Sequence, residues 1–198
     1  MKNFINDFYL GTTPARYLDG FAPLAFRIFL APIMLQSGWT KIAGFENTVN
    51  WFESSLNLPF PEVMVVLAAG TEFVGGILLL AGLGIRIIAP PLMVVMLVAA
   101  FTVHWDNGWL VLSDASSWLA NERVMEAVEK KQRVHAILRE HGNYNWLTSS
   151  GPVTILNNGI EFAITYFIML LSLFFTGAGR YFSLDYWFCR GAREGSRR

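Results

Sequence analysis

Arg27, Lys41, Glu72, His104 and Glu161 are the residues of this chain whose types could do chemistry in an apolar setting. Each lies inside, or at the edge of, a long apolar stretch. An ionisable side chain at the centre of a bilayer-spanning helix costs about 2.5–3.5 kcal/mol, so it turns towards a partner or a wet cavity. A histidine and a carboxylate in such places can carry protons, which makes His104 and Glu161 the candidate catalytic pair. Lys41, Arg27 and Glu72 complete a candidate polar pocket for a ligand.

Other chemistries lack their residues. A metal site needs several His, Cys or carboxylate ligands at suitable spacing. His104 and Glu161 alone are too few, and His135 and His141 fall in a separate segment. One histidine in the spans does not support a bis-histidine haem. The single cysteine, Cys189, excludes an intramolecular disulfide and a CxxC relay. No Walker loop is present, and the GLG at 82–84 lacks a dinucleotide fingerprint. Fifteen basic and fifteen acidic residues balance, which argues against nucleic acid as a partner. What remains is a neutral or anionic amphipathic ligand, such as a quinone head group, or a protein partner. Whether any reaction is catalysed is left open.

The elements that must position these residues are membrane spans. The chain is 54% hydrophobic and 15% charged, against about 25% charged in an ordinary soluble domain. A span takes about 20 mainly apolar residues, and four stretches qualify: 21–40, 62–83, 87–104 and 153–176. Residues 1–20 lack the apolar core and cleavage site of a signal peptide. The expected fold is all-α: a single domain forming an antiparallel four-helix transmembrane bundle, with an outer insertion at 106–152 between the third and fourth spans. Within the insertion, 117–140 predicts an extramembrane helix. Glu126/Lys130 and Glu129/Arg133 are favourable i,i+4 pairs, and Gly142 is a stop. Val124, Val128, Val134, Ile137 and Leu138 supply a partial apolar face. Residues 1–10, with Phe4, Ile5, Phe8 and Tyr9 on one side, predict a helix lying flat on the membrane.

Four spans put both termini on one side. Eight basic residues would lie there (Lys2, Arg16, Arg86, Arg180, Arg190, Arg193, Arg197 and Arg198) and six opposite (Lys41, Arg123, Lys130, Lys131, Arg133 and Arg139). The positive-inside rule then makes the termini cytoplasmic and the protein a multi-pass protein of the inner cell membrane. Trp39, Trp51, Trp105, Trp109, Trp118 and Trp146 fall on the outer side, and Tyr181, Tyr186 and Trp187 on the inner, as interfacial anchors do.

Helical phase sorts the polar residues. Arg27, Ala31, Met34, Gly38 and Lys41 share one stripe. Ala68, Glu72 and Gly76 share another, whose small residues mark a packing face. The third span aligns Met93, Leu97, Ala100 and His104; the fourth aligns Asn157, Glu161, Thr165 and Ser172. At 1.5 Å per residue, Arg27 lies about 10 Å in from the cytoplasmic side and Glu72 near mid-membrane. Lys41 and His104 lie at the outer boundary, with Glu161 about 10 Å below it. The expectation is an outer pocket of Lys41, His104 and Glu161 above an Arg27–Glu72 pair. Plainer roles compete: a packing pair for Arg27 and Glu72, snorkelling for Lys41, and an ordinary helix-end histidine for His104. Arg86, in a short turn, reads as an orientation charge.

The motifs resemble the DoxX family of small four-helix integral membrane proteins. The resemblance rests on Arg27 followed by GWTKIAGF at 38–45, AAGTEFVGGILLLAGLGIR at 68–86, the apolar helix ending in His104, Gly159-Ile-Glu161, and TGAGRYFSLD at 176–185. It implies an antiparallel four-helix bundle and quinone-linked or redox-associated membrane work, with assembly or maturation as the second expectation. The residues it marks are Arg27, Lys41, Glu72, Arg86, His104 and Glu161. The insertion at 106–152 departs from the family pattern. In the first expectation the chain binds a quinone and a partner supplies the redox groups. In the second it is a non-enzymatic assembly, maturation or transport component that docks a partner through the insertion. The partners implied are the lipid membrane and either a second protein or further copies of this chain.

Overall fold

A computed structural model describes residues 19–188. The helix expected over residues 1–10 lies outside the described residues. The elements are α1 (Phe21–Ala43), α2 (Phe45–Ser54), α3 (Pro61–Ala81), α4 (Ile85–Val98), α5 (Glu122–His141), α6 (Tyr144–Leu147) and α7 (Glu161–Thr176). The helix begun by α4 loosens and then tightens before it ends, as a π-helix at Ala99–His104 and a 3-10 turn at Trp105–Asn107. Among the described residues, the chain forms two compact units, one of residues up to 95 and from 166 onward, the other of residues 96–165.

Among the described residues, three helices are long and apolar enough to cross a membrane: Phe21–Ala43, Pro61–Ala81 and Ile85–Asn107. Their outward faces stay apolar, with Ile28, Val66, Leu80, Ile87 and Phe101 all exposed. A helix apolar all round needs an apolar solvent or a protein interior on every side.

In the first unit α1 and α3 run antiparallel at close quarters. A Cβ on Gly38 would sit 2.6 Å from the Phe73 amide nitrogen, and one on Gly76 would sit 2.9 Å from that of Leu35. Such small residues let helix backbones meet where there is no water to drive association. The buried stripe of α1 (Arg27, Leu30, Ala31, Met34, Gly38) faces the stripe of α3 (Val65, Ala69, Glu72, Gly76, Leu79). Gly82 ends α3 in the left-handed conformation, φ 65°, which favours glycine. The turn returns the chain into α4, where Leu92 packs on Gly75.

Three expectations change. α4 starts at Ile85 rather than at 87, so Pro90 and Pro91 lie inside the helix, beyond the first turn where their missing N–H groups would matter least. The short amphipathic helix α2, which buries Phe52, falls where only a connection was expected. The stretch 153–176 is helical only from Glu161. Its first part is extended and pairs with residues 108–113. Asn157 N–H donates to the Val111 carbonyl (2.8 Å), Ile160 N–H to Gly108 (2.9 Å) and Ser113 N–H to Ile155 (3.0 Å). Glu161 therefore opens a helix rather than sitting several residues along one.

In the second unit, α5 begins five residues later than expected. The Asn121 side chain caps it by accepting from Val124 N–H at 3.0 Å. Val124 and Ala127 are buried, whereas Met125, Val128 and Ile137 are exposed. α6 is locked to α5 through Tyr144, whose hydroxyl lies 2.9 Å from His135 Nδ1 and whose ring carries the Arg139 guanidinium at 5.0 Å.

Candidate functional site

The five polar candidates fall into three arrangements. Arg27, only 1% exposed, is bound to main-chain carbonyls. Nε donates to Leu79 (2.8 Å), Nη1 to Ala178 (2.8 Å) and Tyr181 (3.5 Å), and Nη2 to Leu80 (3.1 Å) and Phe182 (2.8 Å). A guanidinium has five N–H groups, and these five bonds use them all. Leu79 and Leu80 lie in the last turn of α3, whose carbonyls carry the negative end of the helix dipole. A Cβ on Gly82 would overlap the guanidinium. The expected Arg27–Glu72 pair is therefore not formed; carbonyls at a helix end take the cation instead.

Arg27 thereby joins three of the sequence motifs: its own, the GLGIR turn and the TGAGRYFSLD loop. Asp185 secures the junction. Its carboxylate accepts from the amides of Gly84 (2.9 Å) and Ile85 (3.3 Å), capping α4, and its own N–H donates to the Gly82 carbonyl (3.0 Å). Arg180 lies 3.6 Å from Asp19.

Glu72 takes Lys41 as its partner, Nζ to Oε2 at 2.5 Å, with side chains 21% (Lys41) and 4% (Glu72) exposed. Lys41 Nζ also donates to Ser37 Oγ at 2.7 Å. The ammonium reaches back along α1 to a carboxylate flanked by the packing face of α3. Lys41 and Glu72 belong to the first unit, His104 and Glu161 to the second.

In the second unit His104 and Glu161 are tied to the same short backbone ladder. His104 Nδ1 is 2.8 Å from the Asn158 carbonyl oxygen. A carbonyl only accepts, so Nδ1 carries a proton, and in the neutral form of the ring Nε2 is then the acceptor. Among the described residues Nε2 has no partner. Asn107 Nδ2 donates to the same carbonyl at 3.0 Å. Glu161 Oε2 accepts from Val111 N–H at 3.1 Å, so a carboxylate sits at the positive end of α7. Between them Asn157, 1% exposed, donates through Nδ2 to the carbonyls of Asn107 and Leu110, both at 2.7 Å. Its Oδ1 is buried without a partner. Sequence reading noted Asn157 only as part of a polar stripe and missed Asn107 and Asn158. No local motif marks a carbonyl contributed from 54 residues away. The π-helix ending at His104 has no sequence signature either, yet such turns recur at functional sites.

These features define a multi-pass α-helical membrane protein with its polar groups gathered at helix ends and one helix crossing. Residues 22–105 match the DoxX family model. The matched segment takes in Arg27, Lys41, Glu72, Arg86 and His104; Glu161 and the 176–185 loop lie beyond it. No curated protein and no solved structure matches the chain.

Proposed function

We propose that this protein is a redox-associated membrane subunit that receives the head group of a quinone-type ligand at His104, with Glu161 beside the same ladder as a second polar contact. The observation that carries the reading is the His104 Nδ1 contact with Asn158. It fixes a tautomer whose Nε2 accepts a hydrogen bond from a hydroquinone hydroxyl. Oxidation of a hydroquinone releases two protons and two electrons. Nε2 takes one proton, the other passes to water, and the electrons leave to a redox group carried by a partner protein. Lys41, Glu72 and Arg27 hold the framework in this reading, because their charges and donors are already engaged. The spans form an antiparallel four-helix bundle in the inner cell membrane, with both termini cytoplasmic.

The test is native mass spectrometry of the protein released from mild detergent. A retained small molecule of quinone mass, lost in His104→Ala and weakened in Glu161→Gln, is the expected result. Wild-type protein that carries no such molecule but a second polypeptide favours the assembly or maturation reading. The observation favouring that alternative is the exposure of Trp118, Trp146 and Ile137 around α5. Val128→Asp and Ile137→Asp would then release the polypeptide.

A further inference from the structure

A cleft of about 660 Å³ opens at one end of the first unit, between the start of α1, the first turn of α4 and the loop after α7. Its size is within the range of small-ligand sites, about 300–1,000 Å³. Four charged side chains line it: Asp19, Arg86, Arg180 and Asp185. Their charges cancel on paper but not in use. Both oxygens of Asp185 are taken by the Gly84 and Ile85 amides. Asp19 faces Arg180 at 3.6 Å, with both side chains about half exposed. Arg86 is left without a carboxylate.

Arg86 is also held in place. Nη2 donates to the Phe175 carbonyl at 3.1 Å, in the last turn of α7, and a Cβ on Gly177 would sit 3.5 Å from Nε. The remaining N–H groups have no partner among the described residues. A pinned guanidinium with a free fork of donors fits an oxyanion in two-point fashion. The surroundings narrow the source. The cleft lies where helices α1, α4 and α7 begin or end; Ile87, which lines it, and Phe175, whose carbonyl holds Arg86, are 81% and 69% exposed. In a membrane protein these side chains meet acyl chains, which a soluble anion does not have.

We propose that this cleft binds the phosphate of a membrane phospholipid, held by Arg86 and Arg180, with the acyl chains against Ile87 and Phe175. The site is independent of the His104 reading. The test is native mass spectrometry of the full chain in mild detergent, titrated with dioleoyl phosphatidylglycerol, with dioleoylglycerol, and with inorganic phosphate. The expected result is a first phosphatidylglycerol retained by the wild type, bound about tenfold more weakly by Arg86→Gln, as the loss of one charge-assisted bond implies. Dioleoylglycerol, which has the chains without the phosphate, is not retained. Equal retention of the two lipids overturns the proposal, as does equal binding by wild type and Arg86→Gln. Displacement of the lipid by inorganic phosphate, with the same dependence on Arg86, overturns the lipid assignment in favour of a soluble phosphate. Should Arg86→Gln fail to assemble, Arg180→Gln carries the test, since Arg180 closes no helix end. About threefold weaker lipid binding is then expected, and unchanged binding overturns the proposal.

Discussion

Arg27 shows how far residue type alone leads. Its presence in a span announces a partner, but the partners are five carbonyls from two other segments, and carbonyls leave no mark in a sequence. Arg27→Lys keeps the charge and offers three N–H groups in place of five. At least two of the five carbonyls lose a charge-assisted bond, at about 1.5–3 kcal/mol each. The unfolding midpoint in detergent should fall clearly, while any ligand retained at His104 by the folded fraction is unchanged. An unaltered midpoint would show the five-bond geometry to be unimportant. The ion pair has its own signature. Lys41→Met leaves the buried Glu72 carboxylate without a cation, so it should destabilise more than the double variant Lys41→Met/Glu72→Leu, which removes both charges. Strictly additive effects would show that the two residues do not act as a pair. Lys41 and Glu72 were legible as chemistry-bearing residues; their pairing was not, because Arg27 and Lys41 share one helical stripe and either could reach towards α3.

Hydropathy found the three long helices to within three residues at each end because length and composition agree there. It failed on 153–160, where an apolar run is extended instead of helical. Short apolar runs carry no phase that separates the two; the pairing with residues 108–113 decides. Gly159 is what permits that pairing, since a Cβ there would lie 2.5 Å from the carbonyl oxygens of both Gly108 and Leu110. Gly159→Ala should push the two segments apart and free the Asn158 carbonyl from His104. The imidazole proton resonances of His104 would then exchange faster with water, and any His104-bound ligand would be lost.

The chain's path through the membrane follows from where helix ends meet. Gly20, the Gly82–Gly84 turn and the 176–185 loop come together around Arg27 and Asp185, so α7 ends on the side where α1 begins. In the proposed four-span path, crossings by α1, α3 and α4 leave the chain on the opposite side and α7 brings it back. At 16 residues α7 is about 24 Å long, short of a hydrocarbon core of about 30 Å. Local thinning or flanking residues would absorb the mismatch. Trp118 and Phe182, 91% and 84% exposed, are suited to test this path. In a Cys189→Ser background, Trp118→Cys should react with a membrane-impermeant maleimide on intact cells once the outer membrane is passed. Phe182→Cys should react only after the inner membrane is opened. Reversed labelling would keep four crossings and invert the orientation inferred from eight basic residues against six. Labelling of both from the same side would mean that α7 does not cross, and the side shared by α1, the α3–α4 turn and the 176–185 loop would need another explanation.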